Sequence, residues 1–297
     1  MEELQYIADL FSDADPAVTA AVDRYFTQGG QQALEQLRSA YRGEIVPQRK
    51  AILGRMLKRY NKMLIIAALK DIAAQSAEGD ECSLLQAGYL LASLTDSTIS
   101  REEYMECILP VAMAVMGEIS EAKTAMENVS ILNHIFYKRY GFAASGPFEM
   151  TLENSLLINV AKNRKGSPFA LSLLYFIVAQ FAGLPVYPLC FTGGFVPVYE
   201  ENGKILFNIN VFHEGEIFLE NNISKMVSRQ AAALGVNVDI GEAVVKKDHS
   251  ILVMYLEFIQ MLYSNIGDSV VQMDIDDAIA ALGGSRFLTI ESDEDQW

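Results

Sequence analysis

Arg164-Lys165-Gly166-Ser167-Pro168-Phe169-Ala170-Leu171-Ser172-Leu173-Leu174-Tyr175 is the stretch that decides the fold. Pro168 suits the first position of a helix, because it has no N–H to lose there, and Ser167 stands where a cap belongs. The residues that follow, 169–182, are uncharged on every face, so this helix is expected inside a core. Gly183-Leu184-Pro185 stops it, and strand signals follow at 186–191, 195–199, 204–211 and 216–220. Asn202-Gly203 is a hairpin turn signal and implies antiparallel pairing. The run 169–191 has no charge and is long enough to cross a bilayer. Gln180, Gly183, Pro185 and Pro188 break it into helix, turn and strand, and unpaired strand backbone cannot face lipid.

Upstream the chain reads as helical. Asp15-Pro16 caps and starts a helix with Val18, Val22 and Phe26 at helical spacing, and Gly29-Gly30 ends it. Ala33, Leu34 and Leu37 mark a second, giving one HEAT-like hairpin, too few units for a solenoid. After Pro47 a longer helix carries Ile52, Leu53, Met56, Leu57, Tyr60, Met63 and Leu64 on one face. Arg55, Arg59 and Lys62 form a basic stripe, expected to be solvated or paired with acidic neighbours. Further helices are expected over 84–94, over 101–116 with Ser100 capping, over 131–140 around His134, and over 156–163 with Asn154 capping. Downstream, Asp248 is expected to cap a helix over 250–263, and Asp274 or a neighbour a second one to about 282. Together they form a lone TPR-like hairpin. The terminal Glu-Ser-Asp-Glu-Asp-Gln-Trp reads as a frayed acidic tail.

The 297 residues are 51% apolar with a net charge of −15. That acidity disfavours nucleic acid phosphate and anionic lipid as partners. Cys82, Cys107 and Cys190 are far apart and odd in number, as expected of reduced thiols in the cytoplasm. The N-terminus shows no signal-peptide pattern. No phosphate loop, dinucleotide fingerprint or nucleophile elbow is present. His134, His213 and His249 lack metal-ligand spacing, and His134 is expected to pack within its helix. Asp274, Asp276 and Asp277 fail as a calcium loop, since Ile279 and Ser285 stand where Gly and Glu are needed. Neither metal nor cofactor is expected.

Several blocks in order resemble the SirB-type transglutaminase-like family of bacteria: Leu132-Asn133-His134, Tyr140-Gly141-Phe142, Asn154-Ser155, Asn159-Val160, the stretch 164–175 quoted above, Thr192-Gly193-Gly194-Phe195 and Ile209-Asn210-Val211-Phe212. The resemblance implies an α+β fold. A helical N-terminal region (1–120) precedes a transglutaminase/papain-like core with an antiparallel sheet (121–222), and C-terminal helices and the acidic tail follow (223–297). Active members of that superfamily set Cys at a helix start, His on a strand and Asp on the next strand. The matching positions here hold Pro168, Gly194 and Asn210, so no catalytic residue is expected. Asn154, Ser155, Arg164, Ser167, Phe195 and Asn210 are the candidate cleft residues. The resemblance therefore implies a non-catalytic binding or scaffold module with an unknown protein or small-molecule ligand, able to form a homo-oligomer. The alternative is a hydrolase or acyltransferase rebuilt around Cys190 and His213. If the strand runs on past Asn210, His213 lies on its opposite face.

Overall fold

The computed structural model describes residues 7, 11, 15–78, 82–146, 150–191, 194–219 and 243–284. The expected acidic tail, all of 220–242 and Ser285 lie outside them, as do Thr192 and Gly193.

The first helix, α1, spans Pro16–Gly43 and is broken at Gly30, whose φ of 51° and ψ of −136° leave the helical region. Asp15 receives the N–H of Ala17 and caps it. With α2 (Pro47–Ala77) it forms a hairpin with its own small core around Phe26, Leu34, Leu37, Met56 and Tyr60. The Phe26 and Tyr60 rings stack 4.0 Å apart at its centre. The basic stripe on α2 is partly neutralised. Arg59 bonds both carboxylate oxygens of Asp23 at 2.9 Å, and Lys62 holds Asp274 and Asp277, each at 2.6 Å.

A second, larger core runs without interruption from Ile65 to Leu282. Its helices are α3 (Leu84–Thr95), α4 (Arg101–Glu118), α5 (Ala125–Asn133), α6 (Leu157–Asn163), α7 (Pro168–Phe181), α8 (Ser250–Ile266) and α9 (Ser269–Ala281). Capping boxes at Ser100/Glu103 and Thr124/Glu127 start α4 and α5. In α7 every side chain from Ala170 to Ala179 is buried, as expected of a helix apolar all round. Gly88 on α3 lets that helix approach closely, since a Cβ there would lie 2.2 Å from the Tyr104 hydroxyl and 2.8 Å from Ile177 Cδ1. From α8, the Tyr255 hydroxyl donates to Ser155 O and accepts from Leu157 N, tying that helix to the start of α6. This core crosses both of the boundaries expected near 120 and 222.

The sheet is five-stranded and antiparallel throughout. The short pair β1 (Ala143–Ala144) and β2 (Lys165–Gly166) stands apart from it. The order is β6 (Glu216–Phe218), β5 (Lys204–Asn210), β4 (Gly194–Glu201), β3 (Val186–Phe191) and β7 (Val244–Val245). Asn202 and Gly203 turn β4 into β5 with φ of 54° and 76°, as a two-residue hairpin of this twist requires. Cys190, Tyr199, Phe207 and Ile209 belong to the large core, while Leu189, Phe191, Val196 and Val198 form a separate cluster.

Some local expectations give way to long-range contacts. The helix expected over 131–140 is α5 running into a π-helical turn at His134–Arg139. There the i→i+5 spacing buries Ile135, Phe136 and Tyr137 and leaves His134 exposed, so that imidazole does not pack. Asp274 does not cap α9; Asp268 does, through Val271 N at 3.2 Å. Asp274 sits mid-helix, buried, and pairs with Lys62. His249, not Asp248, occupies the N-cap position of α8, although Asp248 receives the Ser250 N–H. No side chain caps α6, whose N-cap is Leu156. The Asn154 carboxamide oxygen instead accepts Thr151 N at 3.0 Å. β6, expected over 216–220, ends at Phe218.

Candidate functional site

The geometry to test is the start of α7 and the strand ends above it. Gly166 is required for the close approach, because a Cβ there would meet Val160 Cγ1 at 2.5 Å. Ser167 is the extended N-cap residue, with ψ of 162°, but its side chain makes no cap bond. Its N–H reaches Asn154 O at 2.6 Å, joining two of the candidate cleft residues through backbone. The Ser167 hydroxyl is fully buried and has no partner among the described residues. Pro168 follows, so the first position of the helix carries neither a thiol nor an N–H.

Aromatic rings fill the region around this helix start. Phe169 stacks on Phe258 of α8 at 4.7 Å and meets Phe195 of β4 edge-on at 5.3 Å. Phe195 also lies 5.8 Å from Phe176, one α7 stretch further on. Gly194 itself has room for a side chain, since the nearest atom to a Cβ there is Phe191 Cε2 at 3.4 Å.

Asn210 is the last residue of β5. Its carboxamide oxygen accepts Phe212 N at 3.2 Å and its carbonyl accepts Gly215 N at 3.0 Å, which shapes the turn that follows. β5 does not continue: residues Val211–His213 form a 3-10 turn, and His213 is exposed on it. The turn is held from beneath by a polar clamp that local sequence reading missed. Asn133 donates to Gly215 O and accepts from the Tyr175 hydroxyl, both at 2.7 Å, and the Tyr137 hydroxyl donates to Val211 O at 2.9 Å. A signal was present, in that Tyr175 places a hydroxyl in an otherwise apolar helix, which a buried tyrosine must satisfy.

Cys190 is buried in the large core. Its sulfur lies 3.9 Å from Met254 Sδ and from Pro188 O. Burial pushes its thiol up to about 12, with Asp248 adding to the rise and Lys246 opposing it. A thiolate is the reactive form, and nothing here favours it. Cys190 pairs across to Phe195, so β4 separates it from β5 and from His213 beyond. Two strand spacings are roughly 9–10 Å, out of hydrogen-bond reach.

The remaining candidates serve local structure. Arg164 caps α6 in the left-handed region, with φ of 61°. Its guanidinium covers the Phe142 ring at 4.6 Å, and burial lowers its pKa. Ser155 is fully buried and its carbonyl takes the Tyr255 hydroxyl. Asn154, Ser155 and Ser167 thus come together, as do Phe169 and Phe195, whereas Arg164 points toward Cys107 O at 3.4 Å. Among the described residues no cluster of three His, Cys, Asp or Glu could hold a metal ion, and no helix is long and apolar enough to cross a membrane. A cavity of about 590 Å³ lies away from this region, between the end of α1 and the first turns of α2.

Residues 102–249 match the family described as the Transglutaminase-like superfamily. No curated protein matches the chain. Among solved structures, it is similar to a crystal structure of menin that shows the binding site for Mixed Lineage Leukemia protein. The TM-score is 0.43 and the identity 15%, over 74% of this chain and 55% of that one. The chain thus spans about half the length of that protein.

Proposed function

Starting from the transglutaminase-like superfamily domain that the chain carries over residues 102–249, we propose that it is a non-catalytic member, of the SirB-type branch, that works in the cytosol as a binding or scaffold module. One observation carries this reading: the helix start that would present a nucleophile presents Pro168, and the next residue, Phe169, packs against Phe195 and Phe258. The chemistry of the superfamily needs an activated thiol, a general base and a group that orients the base. Pro168 supplies no nucleophile, Gly194 no base, and Asn210 no charge for an imidazolium. The buried thiol of Cys190, raised to about 12, is a poor substitute.

The test is turnover of glutamine–amine and peptide substrates by the purified protein, beside Cys190→Ala. No turnover above background is expected from either. Turnover that disappears in Cys190→Ala, while circular dichroism shows the fold retained, defeats the reading. Ligand discovery follows from co-purification out of the native cell, which a scaffold should survive with stoichiometric partners.

A further inference from the structure

Arg164 stands where a helix end favours glycine, in the left-handed region with φ of 61°. A long side chain at such a position offsets its strain through what it contacts. Part of that contact is packing: the guanidinium lies 4.6 Å from the Phe142 ring centre and 5.8 Å from that of Tyr140. Rings occupy the flat face of the group and leave its N–H donors over. Among the described residues one acceptor meets them, Cys107 O, which Nη1 reaches at a long 3.4 Å. No carboxylate does. Arg38, Arg42, Arg59 and Arg139 each hold one, and the other arginines without one among the described residues are exposed. Arg164 is the partly buried exception. The groups that favour its charge are the Cys107 thiol and the Tyr140 phenol. A partly desolvated charge with no counter-ion is costly.

A second cation converges on the same place. Lys162, exposed in the last turn of α6, acts with Arg164 on the partly buried thiol of Cys107, and both favour the thiolate. It too has no carboxylate partner among the described residues. Glu103 and Glu106, on the thiol's own helix, oppose the pair there. Glu103 is held by Arg42, and neither acts on Arg164. The carbonyl end of α6 also opposes an anion, weakly for a helix of seven residues.

We propose that Arg164 and Lys162 bind a phosphate monoester group on the open side of Cys107. The arginine fork offers such a group parallel N–H donors and the ammonium adds another, so that two cations meet one dianion. A phosphomonoester carries about 1.5 to 2 negative charges near neutral pH, whereas a single carboxylate leaves half of the positive charge unmet. The net charge of −15 keeps longer polyanions away. The proposal rests on these two cations and not on the reading of the cleft at α7.

The experiment follows alkylation of Cys107 by iodoacetamide in the full chain, read by mass spectrometry at one pH and one ionic strength. The added salts are chloride, acetate or inorganic phosphate. Bound phosphate withdraws the support that the two cations give the thiolate, which is the reactive form. Labelling should therefore slow several-fold and saturably in phosphate, and stay unchanged in acetate. Lys162→Gln alters an exposed side chain and should fold as the wild type does, yet need about tenfold more phosphate for the same slowing. Arg164→Gln should need at least as much; if it fails to fold, Lys162→Gln alone decides. Glycerol phosphate and a phosphoserine peptide distinguish a small metabolite from a modified protein as the source, by which of them slows labelling at the lower concentration. Labelling that phosphate leaves unchanged overturns the proposal. So does an effect that acetate reproduces, or one that Lys162→Gln leaves undiminished.

Discussion

Arg38 is 1% exposed, and all of its donors are used inside the protein. Nε reaches Ser97 O at 2.8 Å; Nη1 reaches Glu35 and the Tyr89 hydroxyl, the latter at 2.9 Å; Nη2 reaches Asn61 Oδ1 at 2.7 Å and Ser93 Oγ at 2.9 Å. The guanidinium therefore fastens the small core of α1 and α2 to α3, with Asn61 and Ser93 bonded to one another around it. Replacing it in Arg38→Ala takes a donor from the buried Tyr89 and Ser93 oxygens and from the partly exposed Ser97 carbonyl, while Asn61 Oδ1 keeps the Ser93 hydroxyl. Each unsatisfied buried group costs about 1 kcal/mol or more, so two give about 2 kcal/mol or more. Against a total stability of about 5–15 kcal/mol this is a large share. Glu35 is itself 30% exposed on its side chain, so Glu35→Gln should cost under about 1 kcal/mol. The assay is urea unfolding followed by circular dichroism, comparing Arg38→Ala, Arg38→Lys and Glu35→Gln. Arg38→Lys keeps the charge but loses the fork, and should fall between the other two. A loss below about 1 kcal/mol for Arg38→Ala would refute the assignment of this arginine as the tie between the two cores.

Three further outcomes are expected. Gly215→Ala places a Cβ 2.0 Å from Asn133 Oδ1 at a φ of 76°, so it should displace the Asn133 clamp and cost about 2 kcal/mol or more, read as a lowered melting midpoint. Cys82 and Cys190 have thiols raised by burial from 9.0 to about 11 and about 12, so their contribution to stability is complete below pH 9 and declines as pH rises toward those values. Iodoacetamide at mildly alkaline pH should accordingly label Cys107, which is only partly buried, well before the other two, and mass spectrometry of the native protein gives the order. Reversing Arg55, Arg59 and Lys62 together should lower stability, because the carboxylate introduced at position 62 then repels the buried Asp274, and should leave nucleic acid binding absent in a salt-resolved filter assay.

Helix α7, the hairpin at Asn202-Gly203 and the capping box at Ser100 were legible because each rests on neighbours a few residues apart. What escaped depends on partners far along the chain. Asp274 reads as a cap by type, yet its place mid-helix is fixed by Lys62, more than 200 residues earlier. The π-helical turn after Asn133 follows from the need to bring Asn133 and Tyr137 to Val211 and Gly215, and nothing in residues 131–140 announces it. In the same way Phe169 and Phe195 could be placed at the site from their motifs, but the third ring, Phe258, arrives from α8 and has no local mark.

The continuity of the large core bears on how the chain may be divided. The family match covers residues 102–249, and the large core includes residues on both sides of it. A fragment cut at those points would lose α3, which lies against α7 at Gly88 and Ile177, and α8, whose Tyr255 anchors the start of α6 and whose Phe258 closes the aromatic group around Phe169. Both flanks of an almost wholly apolar helix would then face water. The matched stretch and the packed core are therefore different objects, and a fragment ending at 102 and 249 exposes apolar surface that the longer chain buries.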